Sequence, residues 1–174
     1  MPVTLLRKFS VPVVSALLLG AADQASKAWA VHNLTLYEPR ELVQGLFGLV
    51  HVRNTGVAFS LLSNLDHRWV HPLLILATML AMGAVLAYIA YLPPCRGAAP
   101  VGLGLILGGA IGNLIDRARL GYVVDFLDLY WRGHHWPTFN VADVGISVGI
   151  VLLVIDMVFS PKEPADASRP AADR

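Results

Sequence analysis

The sequence predicts an all-α integral membrane protein with four transmembrane helices and a small β-element, the β-cradle, at the outer membrane surface. Of its residues, 56% are hydrophobic and only 14% are charged, and the mean hydropathy is +0.60. Soluble domains carry about 25% charged residues, so this composition is typical of a chain that lies in lipid. Four long apolar runs alternate with polar segments, and about 20 apolar residues are enough to cross the hydrocarbon core.

The first predicted span covers residues 9–31 and follows a short basic start at residues 7–8. A cleaved signal peptide is the alternative, with Gly-Ala-Ala at 20–22 as its cleavage site. A transmembrane helix is favoured because an apolar helical face continues beyond Asp23.

Asp23 and Lys27 stand four residues apart on this span and therefore share one helical face. Ionisable groups inside a span are costly and usually face the protein interior. We expect a mutual ion pair, or side chains that reach the nearby interface. In both cases the role of the two residues is structural.

Three more spans are predicted, at residues 69–92, 100–115 and 141–159. In the third span, Gly104, Gly108 and Gly112 repeat every four residues, which predicts a flat face for close helix packing. Residues 1–160 form one predicted four-helix domain. Residues 161–174, rich in Pro, Ala and charge, are predicted to be a disordered cytoplasmic tail.

The segment between the first two spans predicts the β-cradle, at about residues 36–60. It contains β-prone pairs and turn signals at 38–39 and 54–56. Short strands cannot lie exposed in lipid, so the segment is placed at the membrane surface. Residues 54–60 suit a loop that cradles a substrate, and an ordinary turn is the alternative.

Four spans place both termini on one side, and the basic start favours the cytoplasmic side. All four tryptophans then lie at the outer interface, as an aromatic belt. A formal net charge of +1 gives no indication of nucleic-acid binding. The single Cys95 excludes an internal disulfide and a Cys-ligated metal site.

Two carboxylates, Asp125 and Asp143, flank the loop between the third and fourth spans. In a four-span layout, polar residues converge at this outer level, which indicates a functional site. When two carboxylates are close, one holds a proton as an acid while the other, ionised, activates water. We predict an aspartyl dyad that hydrolyses peptides without metal or cofactor. The converging residues are Asp23, Asn54, Asn113, Asp116, Arg117, Asp125, Asn140 and Asp143.

Each carboxylate also has a structural explanation. Asp143 suits the first turn of the fourth span, where it would stabilise the helix dipole. Asp125 could be a solvated loop residue, and Asp116 could pair locally with Arg117.

Other chemistries find little support in the sequence. The six histidines are scattered without a His-Glu-x-x-His pattern, and there is no Gly-x-Ser-x-Gly elbow. A metal-dependent intramembrane protease would lack the ligand spacing. The competing class is a non-enzymatic membrane protein, such as a transporter subunit or assembly factor, whose carboxylates bind ions. Transporters typically show internal repeats and interrupted helices, and this sequence shows neither.

Five ordered motifs carry a family resemblance that covers about residues 20–149. They are Asp-Gln-Ala-Ser-Lys at 23–27, Asn-Thr-Gly-Val-Ala-Phe-Ser at 54–60, Gly-Asn-Leu-Ile-Asp-Arg at 112–117, Val-Val-Asp-Phe at 123–126 and Phe-Asn-Val-Ala-Asp at 139–143. With these motifs the chain resembles the bacterial prolipoprotein (type II) signal peptidases, a family of membrane aspartyl proteases.

The resemblance implies four spans with cytoplasmic termini in the bacterial inner membrane and an active site that faces the outer side. It implies that Asp125 and Asp143 are the catalytic pair. It also implies supporting or substrate-binding roles for Asn54, Gly56, Asn113, Arg117, Asn140 and Asp116, and a structural role for Asp23 and Lys27.

The implied substrate is a diacylglyceryl-modified prolipoprotein, cut on the amino side of its lipidated cysteine. The implied partners are membrane lipids and a globomycin-type inhibitor, and a monomer is expected. No cofactor and no nucleic acid are expected.

Overall fold

Four helices form the body of the described part of the protein: α1 (Pro2–Asn33), α2 (His67–Tyr91), α3 (Ala99–Leu120) and α4 (Val141–Phe159). The structure, a computed structural model, describes residues 2–56, 67–91 and 98–159. Each helix contains a segment long and apolar enough to cross a membrane: Lys8–Asn33, Trp69–Tyr91, Ala99–Leu120 and Val141–Phe159. The predicted fold class is therefore confirmed.

Helix α3 lies at the centre of the bundle, because its glycines allow two neighbours to approach closely. A Cβ at Gly108 would lie 2.6 Å from the carbonyl oxygen of Ala16 in α1. A Cβ at Gly102 would lie 2.7 Å from the carbonyl oxygen of Gly149 in α4. The predicted close-packing face is thus directed at α1, and a second glycine face is directed at α4.

Helix α2 packs at the periphery, mainly against α3. Its Ile89 joins Leu103 and Leu107 of α3 in a buried apolar cluster near the end of the bundle opposite the sheet described next. Most other α2 side chains are exposed, as expected for a helix that faces lipid on most of its surface.

A four-stranded antiparallel sheet covers the other end of the bundle, in the order β1 (Arg40–Val43), β2 (Phe47–Asn54), β3 (Val123–Trp131) and β4 (His134–His135). Phe126 of β3 packs against Ala30 and Leu34 at the end of α1, and Val141 at the start of α4 adjoins this cluster. Strand β3, which carries Asp125, is therefore packed against the end of α1 and the start of α4.

The β-cradle is wider than the sequence suggests. Its first hairpin lies within the predicted segment, but β3 and β4 come from residues that we expected to form a loop. Helix α3 also continues to Leu120, five residues beyond the predicted end at 115. Residues 57–60 of the predicted cradle loop, Cys95 and the predicted tail at 161–174 lie outside the described residues.

Candidate active site

Asp125 lies in the middle of the sheet and is only 1% exposed. In the register of β2 and β3, Val52 is opposite Asp125 and Asn54 is opposite Val123. Because side chains two residues apart share a face of a strand, Asn54 reaches Asp125. Its Nδ2 donates to Asp125 Oδ2 at 2.8 Å.

Gly56 orients the Asn54 amide. The Gly56 N–H donates to Asn54 Oδ1 at 2.8 Å, so the amide nitrogen is turned toward Asp125. Gly56 has a φ of +91°, and a Cβ there would collide with Leu74. Glycine is therefore required at this turn by both conformation and space.

Asp143 lies in the first turn of α4, where it takes part in a reciprocal cap. The Asp143 N–H donates to Asn140 Oδ1 at 3.1 Å, and the Asn140 N–H donates to Asp143 Oδ2 at 3.2 Å. This is the geometry of a capping box. Asp143 therefore caps the start of α4, as its structural explanation predicts, and it also lies in the candidate site.

Two side-chain amides connect the carboxylates, and we call Asn113 and Asn140 the amide bridge. Asn140 Nδ2 donates to Asp125 Oδ1 at 2.7 Å and to Asn113 Oδ1 at 3.2 Å. Asn113 Nδ2 then donates to Asp143 Oδ1 at 2.9 Å. Asp125, from the sheet, and Asp143, from α4, are thus held in one hydrogen-bonded unit.

The environments of the two carboxylates differ. Burial raises the pKa of Asp125 from an ordinary value of 3.8 to about 6. The hydrogen bond from Asn54 opposes this shift, the negative charge of Asp143 adds to it, and the hydrogen bond from Asn140 opposes it. Asp143 is only half-buried, and it accepts hydrogen bonds from Asn113 Nδ2 and from the Asn140 N–H at the N terminus of α4.

A buried ion triad, Asp23, Lys27 and Asp116, lies behind the amide bridge. Lys27 Nζ is 2.9 Å from Asp23 Oδ2 and 2.9 Å from Asp116 Oδ2. The predicted ion pair on α1 is therefore confirmed, and Lys27, only 3% exposed, does not extend to the interface. Asp116 forms its salt bridge with Lys27 of α1, and its charge also interacts with the neighbouring Arg117.

Arg117 lies beside the carboxylates on α3. Its positive charge interacts with Asp143 and Asp125, while its Nη1 donates to the Asn113 carbonyl oxygen at 3.5 Å. Its own carbonyl oxygen lies 2.9 Å from His71 Nε2, which ties this part of α3 to α2.

A cleft of about 360 Å³ opens beside Asp143. Most of its wall is apolar, and Trp136 and Val144 are also exposed on the outer surface of the protein. An apolar ligand in this cleft would therefore reach Asp143 from the lipid side. The lining residues are Leu129, Trp136, Phe139, Asp143, Val144, Ser147 and Val148.

All ten residues singled out from the sequence lie in or next to this hydrogen-bonded unit. Within residues 2–56, 67–91 and 98–159, no cluster of three or more His, Cys, Asp or Glu residues is arranged to hold a metal ion. The arrangement brings two carboxylates in different environments, one buried and one half-buried, into a single hydrogen-bonded unit.

The sequence analysis missed strand β3 and Gln24. The run Val123–Trp131 is rich in β-branched and aromatic residues and lies between Gly121 and Gly133, which is a strand signal. Gln24 Nε2 donates to Asp116 Oδ1 at 3.0 Å and to the Gly112 carbonyl oxygen at 3.2 Å. Its place in the motif at 23–27, next to Asp23, was the available signal.

Comparisons with known proteins show the family and agree with the fold. A family model described as signal peptidase (SPase) II matches residues 15–159. The chain is 47% identical to the lipoprotein signal peptidase of Geobacter metallireducens over 152 residues, which is 87% of this chain and 91% of that protein. It is 42% identical to that of Geobacter sulfurreducens over 159 residues, 91% of this chain and 96% of that protein.

A solved bacterial membrane enzyme, determined by the in meso method, has the same fold. The TM-score is 0.75 at 24% identity, over 86% of this chain and 94% of that one.

Proposed function

We propose, from the premise that the chain belongs to the signal peptidase (SPase) II family, that it removes signal peptides from prolipoproteins as an aspartic endopeptidase. The family match covers the helices and the sheet, and it includes every residue of the candidate site. The substrate is a diacylglyceryl-modified prolipoprotein, and the bond cut lies on the amino side of the lipidated cysteine.

The catalytic pair in this proposal is Asp125 and Asp143, and the observation that carries it is the amide bridge. Asn140 donates to Asp125, Asn113 donates to Asp143, and the two amides are hydrogen-bonded to each other, which gives the pair a fixed geometry. Fixed donors and acceptors of this kind are what positions reacting groups for proton transfer.

The two aspartates have different roles in the reaction. Asp125, whose pKa is raised to about 6 by burial, carries the proton. Asp143, at the N terminus of α4, is ionised and removes a proton from the attacking water. Asp125 donates its proton to the carbonyl oxygen of the scissile peptide as water adds to the carbonyl carbon. The C–N bond then breaks: the proton on Asp143 passes to the leaving amine, and the tetrahedral intermediate returns a proton to Asp125 as the carboxyl product forms. This chemistry requires neither a metal nor a covalent intermediate.

The surrounding residues support substrate binding. Asn54 and Gly56 form the edge of the sheet next to Asp125, and Arg117 supplies a positive charge beside both carboxylates. Asp116, Asn113 and Asn140 hold these groups in place. The apolar cleft beside Asp143 suits a substrate that is anchored in lipid.

The remaining parts of the proposal concern the surroundings of the enzyme. It is a monomer in the bacterial cytoplasmic (inner) membrane, with its active site on the outer side, and a globomycin-type inhibitor binds at the dyad. The exposed apolar surfaces of the helices support the membrane location.

The test is cleavage of a diacylglyceryl-modified prolipoprotein by detergent-solubilised protein in the presence of a metal chelator. We expect Asp125→Asn and Asp143→Asn to lower kcat by about 10²–10⁴-fold, the usual contribution of acid–base groups. Asp128→Asn is the matched control, because Asp128 is also buried in β3 but bonds to His135. It should retain most of the activity.

Near-wild-type turnover by a folded Asp125→Asn or Asp143→Asn variant would rule out the dyad. Loss of wild-type activity in chelator would argue for a metal. Equal cleavage of the unmodified prolipoprotein would contradict the requirement for the lipid.

A further inference from the structure

Two carboxylates of the ion triad bind the backbone immediately before the two aspartates of the proposed dyad. Asp23 Oδ1 accepts a hydrogen bond from the Ala142 N–H at 2.9 Å, one residue before Asp143. Asp116 Oδ2 accepts a hydrogen bond from the Val124 N–H at 3.1 Å, one residue before Asp125. Both bonds are buried, and each links a helix to a different segment of the chain.

Lys27 joins these two carboxylates. Its ammonium group binds Asp23, Asp116 and Asn113 Oδ1, each at 2.9 Å, and so uses all three of its donors. Asn113 in turn donates to Asp143 Oδ1. One buried cation therefore connects to the backbone before each aspartate and to the side chain of one of them.

Close packing allows the triad little freedom to move. A side chain at Gly112 would collide with the Asp23 carboxylate. Gln24 Nε2 donates to Asp116 Oδ1, and Asp23 itself is fully buried. A charge network with every partner in place is rigid, and it holds its neighbours to one arrangement.

We infer that Asp23, Lys27 and Asp116 are positioning residues that set the separation and orientation of the Asp125 and Asp143 carboxylates. The inference rests on the proposed function of this pair and goes beyond the structural role expected of Asp23 and Lys27. Because a displacement of about 1 Å in an active site costs about 10²-fold in rate, loosening the triad lowers kcat more than it weakens substrate binding.

Asp156 provides a matched control, because its carboxylate links two helices far from the candidate site. Asp156 of α4 accepts a hydrogen bond from the Ala98 N–H at the start of α3, at 3.1 Å. This is the same kind of bond as those of Asp23 and Asp116, but it lies at the opposite end of the bundle. Its loss should affect stability alone.

The first experiment compares Asp116→Asn with Asp156→Asn by steady-state kinetics and thermal unfolding in detergent. The Asn side chain can still accept from the Val124 N–H but no longer attracts Lys27. We expect kcat of Asp116→Asn to fall by about 10–10²-fold with KM within threefold of wild type. Asp156→Asn should keep kcat within twofold at a similar loss of Tm.

The second experiment uses chemical rescue of Lys27→Ala. Lys27 lines a cleft of about 540 Å³ between α1 and α3, on the side away from Asp143. A small alkylammonium ion such as ethylammonium can enter by this cleft and replace the missing charge. We expect kcat to fall by about 10²-fold and to recover at least tenfold, saturably, with ethylammonium. Ethanol at the same concentration should have no effect.

The inference is overturned if folded Asp116→Asn or Lys27→Ala cleaves at the wild-type kcat. It is also overturned if ethylammonium restores the Tm of Lys27→Ala without restoring turnover, because the triad would then be structural only. If Lys27→Ala does not fold, the kcat of Asp116→Asn decides. Retained turnover in Asp125→Asn and Asp143→Asn would instead refute the proposed function, whatever the triad variants do.

Discussion

Asp125 and Asp143 carry the same chemical group in two different surroundings. Asp125 is enclosed in a sheet, where water is excluded and the neutral form of its carboxyl group is favoured. Asp143 lies in the first turn of a helix, is half-buried, and accepts a hydrogen bond from the Asn140 backbone N–H. Proteins use different environments to give two carboxyl groups different acid and base roles, and this difference is what supports the roles proposed for the pair.

The raised pKa of Asp125 has a consequence for stability. A group whose pKa is raised on folding stabilises the protein fully below its unfolded pKa, and this contribution is lost as the pH rises through the folded pKa. The unfolded and folded pKa values of Asp125 are 3.8 and about 6. This difference of about two units corresponds to about 3 kcal/mol.

We therefore compare the free energies of unfolding of wild type and Asp125→Asn. The stability of wild type relative to the variant should fall by up to about 3 kcal/mol between pH 4 and pH 7. Hydrogen bonds altered by the substitution contribute a constant that cancels in the pH dependence. Denaturant titrations of both proteins in detergent measure the difference. A flat or rising difference over this range would contradict the burial effect.

At the scale of elements, helix α3 organises the molecule because it has glycine faces for two neighbours. Gly108 admits the backbone of α1, and Gly109 admits α4 near Ala142. In lipid there is little hydrophobic drive between helices, so close backbone contact of this kind is a main source of association. The same contacts place Asn113 of α3 between Lys27 and Asp143, and Asp116 of α3 between Lys27 and the backbone of Val124.

Two glycine substitutions test this packing as a pair. At Gly108, an added Cβ would lie 2.6 Å from the Ala16 carbonyl oxygen, and the backbone there cannot yield without separating the helices. We expect Gly108→Ala to destabilise the protein by about 1–3 kcal/mol.

Gly83→Ala in α2 is the control, because a Cβ there would have no atom within 4 Å. It should leave Tm unchanged or raise it, since alanine is about 1 kcal/mol better than glycine in a helix. Equal Tm values for the two variants would show that α1 and α3 do not depend on this contact.

At the scale of the whole molecule, the charged and polar groups of the site lie at one end of an otherwise apolar bundle. The outer surfaces of α1, α2 and α4 expose large apolar side chains, which suits contact with acyl chains. The sheet covers the end of the bundle, and the cleft beside Asp143 is bordered by exposed apolar residues. This arrangement suits the proposed lipid-anchored substrate, which would approach by diffusion within the membrane.

The proposed orientation is open to a labelling test. Cys95 is the single cysteine, and the layout places it on the cytoplasmic side. A second protein carries Cys95→Ser and His134→Cys, because His134 is exposed in β4. In cells with a permeabilised outer membrane, an impermeant maleimide should label only the second protein, and wild type should be labelled after the inner membrane is opened. The reverse pattern would place the active site on the cytoplasmic side.

Much of this arrangement could be predicted from local patterns in the sequence. The length of the apolar runs predicts the four spans, and the spacing of Asp23 and Lys27 predicts their ion pair. The four-residue spacing of Gly104, Gly108 and Gly112 predicts a packing face on one side of the helix. Each of these depends on the period of a single helix, which the order of residues specifies directly.

The contacts that join distant segments are different, because no local period encodes them. Strand β3 does not alternate apolar and polar residues, and it becomes a strand because it pairs with β2 and packs against the end of α1. Asp116 is adjacent to Arg117 in sequence, yet it pairs with Lys27, since α1 and α3 cross at that level. The amide bridge likewise needs the sheet, α3 and α4 to meet.

Hydrophobicity and helical period are properties of the chain, so the residues alone predict a four-span membrane protein with a set of polar residues gathered at one end. Which carboxylate is desolvated, which one caps a helix, and which backbone N–H groups the ion triad holds depend on how the helices and strands pack. Those properties arise from solvent exclusion and from hydrogen bonds between segments up to 119 residues apart, and they exist only once the segments have packed.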